Sequence, residues 1–245
     1  MMIGGFSHIP YATFALALAP IAAVGLVITA ALIALVYWSE FTGDTRLEAP
    51  RPRGVVVNRV LVIRALAATL VMIALFFFGV IPAKAAIIIG GLLLLTRRVK
   101  SRRVYADIDW SLLLMFAGLF IIVAGAQHAL LTSDVVAAVG RLHLDRIPVL
   151  TAVTAVLSNL VSNVPAVLML KPFVAALPDH DKAWLTIAMA STLAGNFTVL
   201  GSIANLIVVQ RAEASGVTIS FWDYFRVGAP LTLITLALGT LWLSR

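Results

Sequence analysis

Long apolar runs separated by short polar loops make up most of this chain. No Asp, Glu, Lys or Arg occurs within residues 1–39, 65–83, 110–133, 147–170, 183–210 or 227–244. A helix needs about 20 apolar residues to cross the hydrocarbon core of a bilayer, and most of these runs are that long. The pattern predicts membrane-spanning helices at about 13–38, 56–79, 82–98, 109–129 and 227–244.

Composition and the placement of aromatic residues agree with this interpretation. Of the 245 residues, 62% are hydrophobic and 12% are charged, whereas a soluble domain carries about 25% charged residues. Indole rings favour the headgroup level of a bilayer, and the tryptophans lie at or near the ends of the apolar runs, at positions 38, 110, 184, 222 and 242. The predicted fold class is therefore all-α, a polytopic membrane protein.

Basic residues are concentrated in two loops. Ten of the eighteen Lys and Arg residues fall within 46–64 and 97–103, and the formal net charge is +7. Because basic loops of membrane proteins face the cytoplasm, we expect loops 41–59 and 97–109 to be cytoplasmic. No recognition fold accompanies these charges, so nucleic acid is not an expected partner. The chain has no cysteine, which excludes disulfides and thiolate metal sites.

Polar residues interrupt the apolar segment 147–177 near its centre. The sequence at 158–165 is Ser-Asn-Leu-Val-Ser-Asn-Val-Pro. Ser and Asn favour turns and helix N-caps, and Pro favours the first turn of a helix. Irregular backbone at membrane depth must be surrounded by protein or by a water-filled cavity. We therefore predict a re-entrant hairpin that enters at residue 147, turns at 158–164 and returns from Pro165.

A second polar interruption divides segment 183–213. Gly195 and Gly201 bracket two polar residues, Asn196 and Thr198, and Ser202 and Asn205 follow. We expect Gly195 to end one half-helix and Ser202 to cap the next. The segment is predicted to be a broken membrane helix.

The chain contains a short internal repeat. Residues 9–20 align without gaps with residues 219–230, with identical Ile, Ala and Pro at three positions and an aromatic ring kept at two. In each copy we predict a short aromatic arm that leads through Ala-Pro into a membrane helix. The predicted topology puts the two arms on opposite sides of the membrane, as in inverted repeats of transporters. Residues 1–5 would then be the stub of a broken helix; coincidence between two interfacial arms is the alternative.

Helix breaks at mid-membrane expose half-helix ends that bind ions. N-terminal N–H groups suit an anion, and unwound carbonyls with Asn, Ser and Thr oxygens suit Na⁺. No cofactor is expected beyond Na⁺ or H⁺ as a coupling ion, and Ser162, Asn163, Gly201 and Asn205 are the candidate Na⁺ ligands. The candidate substrate- and ion-binding residues are Ser158, Asn159, Ser162, Asn163 and Pro165 in the hairpin, and Gly195, Asn196, Thr198, Gly201, Ser202 and Asn205 in the broken helix.

Two alternatives remain for these residues. A plain helix cap is the alternative role of any single Ser or Asn in the set. An intramembrane hydrolase using Ser162 or Ser202 would need a buried base, and the sequence offers only His128 near the end of a predicted helix. We therefore expect no enzymatic activity.

Three motifs taken together resemble the ion transporter superfamily of arsenite permeases, citrate carriers and divalent-anion/sodium symporters. They lie at 109–120 (Asp-Trp-Ser-Leu-Leu, then Phe-Ala-Gly-Leu-Phe), at 158–165, and at 193–207 (Leu-Ala-Gly-Asn, then Gly-Ser-Ile-Ala-Asn-Leu-Ile). The resemblance covers essentially the whole chain, but as the second half of such a protein. Val164 departs from the Ser-Asn-Thr signature of the family's hairpin tips and removes a hydroxyl available to a carboxylate.

The resemblance implies a secondary active transporter of small inorganic or carboxylate anions in the bacterial cytoplasmic membrane. It implies homodimers through scaffold helices and elevator-type movement, with a small anion, the lipid bilayer and a missing N-terminal repeat in cis or trans as partners. An arsenite or antimonite efflux permease half is the alternative. The implied units are the end of a first repeat at 1–40, a cytoplasmic linker at 41–58, and a second repeat at 59–245 with scaffold helices 59–129, hairpin 147–177, broken helix 183–213, and an arm and last helix at 217–245.

Overall fold

The computed structural model describes residues 2–42, 59–95, 108, 110–130 and 142–245, and these residues form helices without strands. The predicted cytoplasmic loops lie almost entirely outside this part of the chain. In chain order the helices are α1 (Met2–Ser7), α2 (Tyr11–Val36), α3 (Trp38–Phe41), α4 (Arg59–Phe77), α5 (Pro82–Leu95), α6 (Trp110–Leu130), α7 (Ile147–Val161), α8 (Asn163–Val174), α9 (His180–Ala194), α10 (Ile203–Ala214) and α11 (Phe221–Leu243), with a 3₁₀ turn at Val199–Gly201.

Three described helices, α2, α4 and α11, are long and apolar enough to cross a membrane. Shorter apolar helices occur within α5 and α6 and as α7 and α8. Large apolar side chains on α4 and α5, such as Ile63, Leu70 and Ile87, are exposed in the isolated chain. An apolar surface of this extent requires lipid or other protein around it, so the chain is a multi-pass membrane protein.

Helices α7 and α8 form the predicted hairpin. A single residue, Ser162, separates them, with φ 78° and ψ 161°, a conformation that is nearly restricted to glycine and costs about 1–3 kcal/mol elsewhere. Leu150 near the start of α7 belongs to the same hydrophobic cluster as Val174 at the end of α8. The chain therefore turns sharply at residue 162 and returns alongside itself.

The predicted break in segment 183–213 is also present. Helix α9 ends at Ala194, the 3₁₀ turn occupies Val199–Gly201, and α10 begins at Ile203. Gly195 is the C-cap residue of α9, as predicted, with φ −60°. The chain then continues into 3₁₀-type turns, closed by the hydrogen bond from Asn196 N–H to the Leu193 carbonyl. Ser202 occupies the N-cap position of α10, but its hydroxyl makes no capping hydrogen bond.

Helices α7 and α9 run parallel and pack closely together. Leu150, near the start of α7, shares the main hydrophobic cluster with Ala183 and Ile187 of α9. At their other ends, Ser158 Oγ donates to the Ser191 carbonyl of α9 at 3.0 Å. The carboxyl ends of α7 and α9 consequently lie side by side, next to both interruptions.

Helices α2 and α11 pack antiparallel. Tyr37 Oη, just after α2, donates to the Asp223 carbonyl at the start of α11, and Trp242 Nε1 near the end of α11 donates to the Ala17 carbonyl near the start of α2. Between these bonds a Cβ on Gly25 would lie 3.6 Å from Thr235 Cγ2. Extended without gaps beyond residue 20, the alignment of residues 9–20 with 219–230 pairs Gly25 with Thr235, so equivalent positions meet where the helices cross.

Both predicted aromatic arms are helical, and the last helix begins earlier than predicted. Helix α11 begins at Phe221 rather than near 227, and α2 begins at Tyr11, so Pro20 and Pro230 lie inside helices. The start of α11 is fixed by a capping box in which Ser220 Oγ accepts from Asp223 N and Asp223 Oδ2 accepts from Ser220 N. One proline in a membrane helix is tolerated where neighbouring groups satisfy the freed carbonyl.

The contact between α11 and the helix break leads to a stability prediction. A Cβ on Gly228 would lie 2.3 Å from the Asn196 carbonyl oxygen, so Gly228→Ala must displace backbone. We expect it to lower the melting temperature in detergent, because overpacking costs about 1–3 kcal/mol. Gly25→Ala is the control: its Cβ meets nothing closer than 3.6 Å and gains helix propensity. Equal melting temperatures for the two variants would contradict the contact.

Candidate functional site

The two interruptions predicted from the sequence meet in the structure. Asn159 Nδ2, near the end of α7, donates to the Ala194 carbonyl at the end of α9 at 3.0 Å. Ser158 Oγ lies 2.8 Å from Asn163 Oδ1 at the start of α8 and 3.0 Å from the Ser191 carbonyl oxygen of α9, and these two acceptors share its single proton. Side chains of the hairpin thus bind carbonyls of the broken helix directly.

Asn205 holds the break from the other side. Its Nδ2 donates to the Gly195 carbonyl at 2.9 Å and to the Thr198 carbonyl at 3.3 Å. Both carbonyls belong to the unwound stretch, which has few bonds of its own. Because Asn205 lies in the first turn of α10, one amide fixes the second half-helix against the end of the first.

Glycine permits the close approach of the two elements. A Cβ on Gly201 would lie 2.9 Å from the Gly195 carbonyl oxygen and 3.0 Å from Asn159 Oδ1. A Cβ on Gly195 would lie 3.4 Å from both side-chain polar atoms of Asn163. Any side chain at Gly201 would push the break away from the hairpin tip.

The geometry brings four helix ends to one place. The carboxyl ends of α7 and α9 lie side by side, and a single residue separates α8 from α7. Helix α10 begins after the unwound stretch 195–202, and Asn205 in its first turn bonds back to the Gly195 carbonyl. Carboxyl ends carry partial negative charge and amino ends partial positive charge. The site therefore brings together helix ends with partial charges of both signs, and amide and hydroxyl side chains lie between them.

Not every predicted site residue contributes its side chain to this network. Ser162 and Ser202 occupy N-cap positions without side-chain capping bonds. Thr198 contributes its carbonyl, and the Asn196 carbonyl faces α11 at Gly228. Pro165 is fully buried in α8. The side chains of Ser158, Asn159, Asn163 and Asn205 and the backbones of Gly195, Thr198 and Gly201 are the predicted residues that the structure brings together.

Sequence reasoning missed the contribution of α11. Thr232 Oγ1 donates to the Leu193 carbonyl at the end of α9, and Gly228 gives the break room to pack. Gly228 and Thr232 both lie in an apolar run that has no local polar pattern. The alignment of α11 with α2 was the sequence feature that distinguished this helix, and it did not indicate a contact with the break. Thr192 also borders the site, from the last turn of α9.

A cavity of about 910 Å³ opens beside the network. Its polar wall includes Asn163, Ser191 and Thr192, and its other walls are mainly apolar. Asn163 Oδ1 accepts from Ser158, and its Nδ2 has no hydrogen bond in the described part of the chain. The lining residues are Ile3, Gly4, His8, Ile9, Pro10, Tyr11, Phe14, Leu18, Ile21, Ala22, Phe76, Gly79, Val80, Ile81, Pro82, Asn163, Val164, Val167, Ala188, Met189, Ser191, Thr192 and Leu193.

Two buried hydroxyls on α7 allow a paired test of the network. Ser158 and Thr154 are both fully buried, but Thr154 Oγ1 has no hydrogen-bond partner among the described residues. Ser158→Ala should lower the free energy of unfolding by about 1–3 kcal/mol, because it leaves polar groups unpaired. Thr154→Val keeps the shape and removes an unpaired hydroxyl, so it should be neutral or stabilising. Unfolding by denaturant in mixed micelles checks both, and a larger loss for Thr154→Val would refute the assignment.

Comparisons with known proteins show similarity to transporters. The family model described as citrate transporter matches residues 1–194. The chain is 32% identical over 182 residues to the putative transporter arsB of Dictyostelium discoideum, covering 71% of this chain and 32% of that protein. It is 28% identical over 262 residues to a 46 kDa membrane protein of Mycobacterium leprae, covering 98% of this chain and 59% of that protein.

One of the similar proteins comes from a plant. The silicon efflux transporter LSI3 of Oryza sativa subsp. japonica is 37% identical over 145 residues, which cover 54% of this chain and 30% of the relative. No solved structure is significantly similar. The chain spans between about a third and three fifths of the length of these curated relatives. Because the family model covers most of its length, the chain belongs to the citrate transporter family, within the ion transporter superfamily.

Proposed function

We propose that the chain is the C-terminal portion of a secondary active transporter of small inorganic or carboxylate anions. One observation carries the proposal: two interrupted membrane helices meet and are joined by Asn159 and Asn205. Interrupted helices leave ion-binding backbone groups at membrane depth. A protein with only structural needs would use continuous helices, which satisfy their own backbone.

An inverted repeat is supported by the packing of α2 against α11. The two helices are antiparallel, and the alignment places Gly25 of one opposite its counterpart Thr235 of the other. Two equivalent residues meet in this way when a two-fold axis passes between them. Each helix also has its proline at the tenth position, Pro20 and Pro230. We infer that residues 2–40 close a first repeat and residues 59–245 form the second.

The free donors favour an oxygen-rich substrate. Asn163 Nδ2 and the first N–H groups of α8 lie beside the cavity, where they suit the oxygens of an anion. These neutral donors also suit an uncharged hydroxy acid. Since relatives include a protein named arsB and one named for silicon efflux, an arsenite or antimonite efflux permease half is the second candidate.

The same site offers oxygen atoms to a coupling cation. Helix geometry leaves the last four carbonyls of α7 without intrahelical partners, and buried Asn159 Oδ1 has no hydrogen bond within the part of the chain that the structure describes. Amide and carbonyl oxygens suit Na⁺. We therefore add Asn159 to the proposed Na⁺ ligands Ser162, Asn163, Gly201 and Asn205, and Asn205 keeps its Oδ1 available while its Nδ2 donates to backbone carbonyls. H⁺ coupling is the alternative.

The structure gives no support to an intramembrane hydrolase. Neither Ser162 nor Ser202 hydrogen-bonds through its hydroxyl to any described residue, and His128 lies in the last turn of α6. The relatives' names point to transporters rather than enzymes. We propose a location in the bacterial cytoplasmic membrane with the basic loops inside, elevator-type movement of the site, and dimers through the exposed helices α4 to α6.

Transport by the full-length parent protein in proteoliposomes tests the proposal. The panel is citrate, phosphate, sulfate, arsenite and silicic acid, each with and without a Na⁺ gradient. We expect uptake of at least one substrate and a loss of about tenfold or more in Asn163→Ala, equivalent to about 1.4 kcal/mol. Thr69→Val, on the exposed face of α4, is the control and should match the wild type. If the protein takes up none of these substrates, the proposed function is refuted. If Asn163→Ala transports at the wild-type rate, the proposed site is refuted.

A further inference from the structure

A polar bond joins α6 to the hairpin. Gln127 Nε2, in the last turn of α6, donates to the Leu168 carbonyl of α8 at 2.6 Å. The Gln127 side chain is half-buried, and Val123, one turn earlier on α6, is buried. Helix α8 is the described helix that α6 contacts most extensively. An amide therefore occupies the contact between a helix of the proposed scaffold and the hairpin that carries part of the site.

Pro172 explains why the Leu168 carbonyl is available. In an α-helix this carbonyl would accept from the N–H of residue 172, four positions later. Proline has no N–H, and Pro172 lies inside α8. A carbonyl freed by proline in a membrane helix needs a partner from a neighbouring element. Gln127 of α6 supplies that partner.

The contact between α4 and α2, which also joins the proposed scaffold to the site-bearing helices, is apolar. Tyr11 at the start of α2 lies against Phe76 and Phe77 at the end of α4, with ring centroids 5.4 Å and 5.3 Å apart. Apolar contacts tolerate displacement because the hydrophobic effect is non-directional. A hydrogen bond weakens steeply when its atoms separate or lose alignment. Of these two contacts, the Gln127 bond therefore specifies the position of the hairpin more sharply.

We propose that Gln127 is a positioning residue whose bond to Leu168 holds the hairpin in one of two positions that open the site to opposite sides of the membrane. The inference rests on the proposed transport function and its elevator-type movement. When the hairpin moves along α6, Nε2 leaves hydrogen-bonding range and the Leu168 carbonyl loses its partner. An unpaired polar group is costly in an apolar environment. The bond therefore sets the fraction of protein that occupies the bonded position.

Accessibility of the site from each side of the membrane tests this role. Thr192 lines the cavity beside the network, and the chain contains no cysteine, so Thr192→Cys introduces a reporter thiol. The full-length parent protein carrying this reporter is prepared in right-side-out and in inverted membrane vesicles. A membrane-impermeant maleimide is added to each, and labelling is corrected with the protein that retains Thr192. The measured quantity is the ratio of the two labelling rates.

Three further substitutions are compared in the reporter protein. Gln127→Met removes the donor and keeps the length of the side chain. Pro172→Ala restores an N–H partner for the Leu168 carbonyl, and it opens no cavity because Pro172 is exposed. His128→Met is the control, because His128 is exposed on the same turn of α6. Melting temperatures in detergent confirm that each variant is folded.

We expect Gln127→Met to change the ratio about fivefold, the size of effect of one hydrogen bond, with one rate rising while the other falls. Pro172→Ala should shift the ratio in the same direction, because the carbonyl then keeps a partner in α8 when Gln127 leaves. Adding Gln127→Met to Pro172→Ala should have little further effect. His128→Met should leave the ratio unchanged.

Three results would overturn the proposal: an unchanged ratio in Gln127→Met, an equal change of both labelling rates, or a full effect of Gln127→Met in the Pro172→Ala protein. An equal change of both rates would mean that Gln127 has only a structural role. If the ratio shifts as expected but the parent protein takes up none of the tested substrates, Gln127 keeps its positioning role and only the transport function is refuted.

Discussion

The backbone of a membrane helix must satisfy its own hydrogen bonds, because the hydrocarbon around it offers none. Every break in such a helix creates unpaired carbonyls and N–H groups that other parts of the chain have to cover. Here two breaks are placed together, and side chains of the hairpin donate to carbonyls of the broken helix. The amides of Asn159 and Asn205 and the hydroxyls of Ser158 and Thr232 donate to the freed carbonyls.

The same requirement explains why small residues surround the site. An amide reaches a backbone carbonyl only when the two helices approach closely, and Gly201 and Gly228 allow that approach. Coverage is incomplete where the proposed function needs free groups: Asn159 Oδ1 has no partner, and Asn163 Nδ2 faces the cavity. We infer that the groups which stabilise the breaks and those which bind ions alternate along the same few residues.

The remaining helices differ in how closely they pack against this centre. Helix α11 contacts both α9 and α2, and α1 reaches α9 through the stacked rings of Phe6 and Trp184. Helices α4 and α5 pack mainly on each other and expose most of their apolar side chains. A site held by closely packed helices, with more loosely attached helices outside it, suits the proposed division into a transport domain and a scaffold.

The sequence by itself determined the membrane class, the approximate spans and both interruptions, because hydrophobic length and clustered Ser, Asn and Gly are local properties. It misplaced the start of α11 near residue 227, because the capping box at Ser220 begins the helix ahead of the charged residues Asp223 and Arg226 that bound the apolar run. Only the tertiary structure decided that Asn159 reaches Ala194 and that Thr232 of α11 supports the break. Those contacts depend on which helices lie side by side, and the order of residues along one helix does not indicate which other helices pack against it.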